Sequence, residues 1–231
     1  MHKDEILCLA VLPEDVSEGR RYAQLSLDYT FDRMAYGGSD EKAFRKRLEK
    51  IIMGKTCEAT LVRFLRSHGI AHTTRDGQTP HTDPDRFDLR ILNQIVDLKT
   101  FSVPSSVAVP ERLMNCLALV PDHRERDQWS RRGKYARFVF GFLDGRLSIQ
   151  RLNERARTKE RRPALSDEDI TFQSNSPKLF LTAAPALAES ESKFHKIRRG
   201  TRCPQYPGGT RIDNMGCRVA ELTSFRGFIN L

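Results

Sequence analysis

Residues 85–101 read DRFDLRILNQIVDLKTF, a strand-like run with Asp88 near one end and the pair Asp97 and Lys99 near the other. Acids are poor strand formers, so their placement asks for a cause, and the geometry of a hairpin offers one. Folding 88–101 back on itself with Asn93-Gln94 as the turn sets Leu92 against Ile95, Ile91 against Val96 and Arg90 against Asp97. Leu89 then faces Leu98, and Asp88 faces Lys99. Side chains alternate along a strand. Asp88, Arg90, Asp97 and Lys99 therefore leave from one face, and Leu89, Ile91, Val96 and Leu98 from the other. Asp88 and Asp97 become diagonal neighbours within reach of one shared ion. A four-residue loop from Leu92 to Ile95 gives the same pairing, whereas an odd loop length would put the acids on opposite faces.

Two carboxylates held together repel each other unless a cation sits between them. Their oxygens suit Mg²⁺, which takes one or two carboxylates and leaves positions for waters and substrate phosphate. A lysine beside such an ion can orient the attacking water and lower its pKa. That is the chemistry of metal-assisted phosphodiester hydrolysis. Glu58 belongs to a helical stretch, KTCEATLVRFLRSHG, in which Leu61, Val62 and Leu65 follow it at i+3, i+4 and i+7. An acid on an apolar stripe needs a partner or a metal. Favourable placement in a helix's first turn and an ion pair with a nearby Arg account for Glu58 equally well.

Elsewhere the pattern is mixed. ILCLAVL at 6–12 reads as a buried strand, and YGGSD at 36–40 as a turn. EKAFRKRLEKIIM at 41–53 carries Phe44, Leu48, Ile51 and Ile52 on one helical stripe, with Gly54 expected to break or kink it. IAHTT at 70–74 reads as a short strand and RDGQTPHTDPDR at 75–86 as a loop. ERLMNCLALV at 111–120 reads as a helix entered through Pro110. YARFVFGFL and RLSIQRL flank Asp144-Gly145, a strong hairpin signal.

The acids and lysine, with the order helix, three strands, helix, strand, resemble the PD-(D/E)xK nucleases, the restriction-endonuclease-like superfamily. The matching residues are Glu58, Asp88 in FDLRI, and Asp97-Leu98-Lys99 in QIVDLKT, within roughly residues 50–145. The resemblance implies an α/β fold with a mixed central β-sheet flanked by helices. It implies Asp88 and Asp97 as metal ligands completed by the Leu98 carbonyl, Lys99 for the attacking water, and Glu58 as an accessory acid. It implies a Mg²⁺-dependent nuclease, with Mn²⁺ able to substitute, acting on DNA; the residues leave RNA open. Pro84-Asp85 matches the family's written motif more literally, but Asp88 opens the alternating strand. A restriction or phage-defence endonuclease is the first expectation, with a repair or junction-resolving nuclease, or a non-catalytic nucleic-acid-binding protein, as alternatives. A homodimer would suit duplex cleavage. The expected division is an N-terminal extension at 1–40, a nuclease core at 41–152 and a C-terminal extension at 153–231.

The 231 residues, 39% hydrophobic and 30% charged, fit a globular chain rather than a disordered one. Net charge is +9, and residues 124–162 hold thirteen Lys or Arg against five Asp or Glu. Such a segment suits a polyanion, because neutralising phosphates releases counterions. Arg131, Arg132 and Lys134 are the expected backbone contacts, with Trp129 among them as a stacking residue or a core-edge anchor. The five scattered cysteines suit reduced thiols in a cytoplasmic protein, and neither a secretory signal nor a membrane partner is expected. GKT at 54–56 lacks the first glycine of a phosphate loop, and DPDRFD lacks the glycine of a calcium loop. His195, Cys203 and Cys217 lack the tight pairing of a zinc site.

Overall fold

The computed structural model describes residues 1–30, 41–74, 89–122, 129, 132–150 and 165–231. Its centre is β4 (Gln94–Val103), the longest strand, flanked by β3 (Leu89–Ile91) and β6 (Arg137–Asp144). With β1 (Leu7–Ala10), β2 (His72–Thr74) and β9 (Lys178–Leu181), they form a six-stranded sheet in the order β1-β9-β6-β4-β3-β2. The β4–β6 pair is parallel and every other neighbour antiparallel, so the sheet is mixed and the class α/β, as expected. β1 and β9 come from the segments expected as terminal extensions, and both complete this sheet.

The hairpin register differs from the expected one. Leu89 pairs with Val96, Arg90 with Ile95 and Ile91 with Gln94, so the turn falls on Leu92-Asn93 rather than Asn93-Gln94. Both turn residues have positive φ, 49° and 61°, as tight hairpin turns require. Asparagine tolerates that region, while Gln94 is kept for the strand, where it accepts a 2.7 Å bond from Arg137 Nε. The change moves the pairing by an even step, so the partition of faces survives. Leu89, Ile91, Val96 and Leu98 share one face; Arg90, Asp97 and Lys99 share the other.

The first face is covered by helices. α2 (Glu41–Ser67) brings Cys57, Leu61, Phe64 and Leu65 against Leu89, Ile91, Val96, Val139 and Leu143. It runs unbroken through Gly54, contrary to the expected break. The buried stripe stays in phase across it, from Leu48 and Ile52 to Leu61 and Leu65. That burial outweighs the roughly 1 kcal/mol by which glycine disfavours a helix. α1 (Pro13–Thr30), in a segment that sequence reading left untyped, packs on α2 through Gly19. A Cβ at Gly19 would sit 2.7 Å from the Ile52 carbonyl oxygen and closer still to Thr56 Oγ1. Buried Asp15 locks the two helices: it accepts from Arg63 Nη2 (2.9 Å), Thr60 Oγ1 (3.0 Å) and the Leu12 N–H (2.9 Å). This pairing raises the Arg63 guanidinium above its ordinary value.

The second face is covered by another sheet, in the order β10 (His195–Ile197), β11 (Asn214–Arg218), β5 (Leu117–Pro121). Ala118, Val120 and Cys217 pack there with Phe138, Phe140, Phe142 and Phe180. The helix expected over 111–120 is therefore corrected. Only one turn forms, α3 (Pro110–Leu113), before the chain enters β5. Ala118, Leu119 and Val120 are consecutive buried residues, which leaves no polar side for an amphipathic helix. The expected hairpin at Asp144-Gly145 is also corrected. Gly145 takes φ 82°, but β7 (Leu147–Ile149) pairs with β8 (Ile170–Phe172) in a separate ribbon. Both edges of β6 are already occupied, by β4 and β9. The ribbon buries Leu147, Ile149 and Ile170 with Leu48 and Ile52 of α2.

Two substitutions test the helix layer in opposite directions. Gly19→Ala is expected to lose about 1–3 kcal/mol of stability through overpacking. Gly54→Ala, where a Cβ meets nothing within 4 Å, is expected to gain about 0.5–1 kcal/mol. Urea denaturation of both variants measures this.

Candidate functional site

β4 positions Asp97 and Lys99 two residues apart, so both emerge on the second face. The Lys99 Nζ lies 2.6 Å from Asp97 Oδ2, with side-chain exposures of 13% and 14%. In the parallel register, Asp97 aligns with Phe138, Lys99 with Phe140 and Phe101 with Phe142. The pair thus stands in a row of buried rings, where desolvation of a charge is costly. Among the described residues, Asp97 Oδ2 has this ion pair and no hydrogen-bond donor besides.

The backbone adds one oxygen. Ile95 accepts from the Ala136 N–H on the β6 side. Successive carbonyls along a strand point to opposite sides, so the Leu98 carbonyl points toward β3, beyond its last paired residue, Leu89. One carboxylate and one carbonyl oxygen on neighbouring residues form a hard-donor set of the type that Mg²⁺ or Mn²⁺ accepts. A second carboxylate is needed to offset the ion's charge. Asp88 immediately precedes Leu89 in sequence; it and Asp85 lie outside the described residues.

Glu58 is placed elsewhere. It sits on α2, the helix covering the face that carries Val96 and Leu98, and its carboxylate is 2.8 Å from Lys55 Nζ in an i,i+3 pair. The Lys55 ammonium also lies 4.3 Å from the centre of the Tyr22 ring. The structure therefore brings Asp97, Leu98 and Lys99 together on one strand and gives Glu58 a partner on its own helix.

Of the expected nucleic-acid contacts, Arg131 and the Lys134 side chain lie outside the described residues. Arg132 is engaged internally: its Nε is 2.8 Å from Glu191, and its guanidinium lies 4.8 Å from the centre of the Trp129 ring. Trp129 stacks on Phe194 (5.4 Å) and Phe138 (6.2 Å), the arrangement of a core-edge anchor. Among the described residues, no group of three His, Cys, Asp or Glu is placed to hold a metal, His195, Cys203 and Cys217 included. Burial pushes the Cys217 thiol up to about 12. The loop after β10 displays Arg198, Arg199, Arg202 and Arg211, all exposed. Comparison of the chain with protein-family models, with curated proteins and with solved structures returned no match.

Removing one member of the β4 pair should expose its cost. Asp97→Asn removes the carboxylate beside the part-buried Lys99 ammonium and is expected to lose about 1–3 kcal/mol, below the loss for a fully buried pair. The double variant Asp97→Asn with Lys99→Met is expected to recover most of that loss. Denaturant melts of the single and double variants measure the difference.

Proposed function

We propose that the protein is a divalent-metal-dependent nuclease whose site is centred on Asp97, Leu98 and Lys99, with Asp88 as the second carboxylate. The observation that carries this reading is the Asp97–Lys99 pair. An acid and an ammonium share one face of a central strand, beside a carbonyl aimed at the edge where β3 ends. When bound there, Mg²⁺ or Mn²⁺ would supply Lewis acidity toward a phosphate oxygen and a water of lowered pKa.

The chain's own residues have distinct tasks. Asp97 and the Leu98 carbonyl would hold the ion, with the Asp97 carboxylate released from the Lys99 ammonium. Lys99, shifted from Asp97, donates to the attacking water or to a phosphate oxygen and stabilises charge developing there. The phenylalanine row beside the pair lowers the local dielectric and strengthens both interactions. DNA is the preferred substrate on the family resemblance alone, and so is a restriction or phage-defence role over repair or junction resolution.

A second reading is favoured by the same ion pair taken as it stands. At 2.6 Å and largely buried, Asp97 and Lys99 satisfy each other, as they would in a non-catalytic nucleic-acid-binding protein with a structural charge pair.

Incubation with DNA and RNA substrates, in Mg²⁺, Mn²⁺ or EDTA, separates the two. The nuclease reading expects cleavage that EDTA abolishes and that falls about 100-fold or more in Asp97→Asn and in Lys99→Ala, with binding retained. Cleavage unchanged in both variants would remove the site assignment. Binding with no metal-dependent cleavage of any substrate would leave the second reading.

A further inference from the structure

We infer that the loop between β10 and β11 is a preorganised binding surface for the phosphodiester backbone of a nucleic acid, with Arg198, Arg199, Arg202 and Arg211 as its contacts. All four arginines are exposed, and among the described residues none has a carboxylate within ion-pair distance. The one acid in residues 198–213, Asp213, is already engaged: it accepts from the Arg199 N–H (2.8 Å) and lies 3.2 Å from Lys196 Nζ.

The loop is braced along its length. The Arg198 carbonyl accepts from the Thr201 N–H (3.1 Å), Thr201 Oγ1 (2.7 Å) and Thr210 Oγ1 (2.9 Å). The Gly200 N–H donates to the Thr210 carbonyl (2.8 Å), and the Thr210 N–H to the Thr201 carbonyl (2.9 Å). These bonds fold Arg211 back beside Arg198–Arg202. Gly209 is required where the two sides meet: its φ is 90°, and a Cβ there would lie 2.6 Å from the Gly200 carbonyl oxygen. At the far end, the Gln205 side chain grips both the N–H (3.2 Å) and the carbonyl (2.7 Å) of Leu117. The Tyr206 ring meets Phe101 edge-on at 6.3 Å.

Four like charges on one short loop repel each other, and the one acid there to offset them is Asp213, held below its ordinary value by the Arg199 N–H, by Lys196 and by Arg198. A guanidinium matches a phosphate through paired N–H donors, and a braced loop loses little entropy on binding. A membrane-surface patch would need apolar side chains to insert beside the basic ones. The only large aliphatic side chain exposed in this stretch is Ile212. The loop also lies on the face of the sheet that carries Asp97 and Lys99, because Phe101, its contact on β4, shares their parity. At about 3.3 Å of rise per residue, Phe101 lies about 13 Å along the strand from Asp97. Binding by the loop does not require the nuclease reading; cleavage of the bound strand does.

The test is fluorescence anisotropy in EDTA with labelled duplex DNA and labelled single-stranded RNA over a salt series, using the full chain. Wild type should bind at least one of them with strong salt dependence. Arg198→Ala/Arg199→Ala and Arg202→Ala/Arg211→Ala should each weaken binding, and the quadruple variant should weaken it at least about tenfold. The log–log salt slope should fall by about 0.9 for each lost contact to duplex DNA. Arg66→Ala, at the end of the helix covering the other face, should bind as wild type. Wild type that binds neither nucleic acid, or a quadruple variant with native circular dichroism and unchanged affinity, would overturn the inference. So would loop variants that lose only adsorption to anionic vesicles. If the loop variants lose binding but no substrate is ever cleaved, the loop assignment stands and the nuclease reading falls.

Discussion

The structure turns on burying a carboxylate and an ammonium on the central strand. β4 is paired on both sides, parallel to β6 and antiparallel to β3, so its two faces are fixed by period-two alternation. One face supplies Val96 and Leu98 to a helix-covered core. The other places Asp97 and Lys99 in line with Phe138 and Phe140. A slip of one residue would turn both charges toward α2 and the leucine and valine toward the phenylalanine row, so the pair helps to specify the register it occupies.

The layers around the strand follow from that partition. α1 and α2 approach closely because Gly19 lacks a side chain, and Asp15 with Arg63 holds the crossing from within. Within the second sheet, Gly216 of β11 lies against the Ala118 carbonyl of its neighbour β5 with no room for a Cβ. Two cores form, one on each face, and the charge pair belongs to the side that two sheets enclose. Enclosure of this kind strengthens electrostatics at the site and excludes competing water.

Much of the central hairpin is legible in the sequence, because alternating residues report a face whatever the turn does. The turn itself is not. Asn93 occurs in either two-residue loop, and the Arg137–Gln94 bond favours the one that leaves Gln94 in the strand. Short apolar runs are ambiguous between helix and strand, which is why 111–120 reads as a helix although β11 pairs with Leu117–Pro121. Asp144-Gly145 signals a turn correctly and a partner wrongly, since local sequence does not reveal that β6 has both edges filled. Glu58 looks like a site residue because helical spacing says which stripe a residue joins and not which face of the sheet the helix covers. Arg211 is separated in sequence from Arg198, Arg199 and Arg202 by prolines and glycines; the closure through Thr201 and Thr210 brings it back beside them.

The central claim is that the Asp97 carboxylate, now paired with Lys99, accepts a divalent cation in exchange. Calorimetric titration of Mn²⁺ into the protein, its Asp97→Asn variant and its Lys99→Met variant tests this most directly. Binding should vanish in Asp97→Asn and tighten in Lys99→Met, where no ammonium competes for the carboxylate. Equal binding in all three proteins, or none in the wild type, would contradict it.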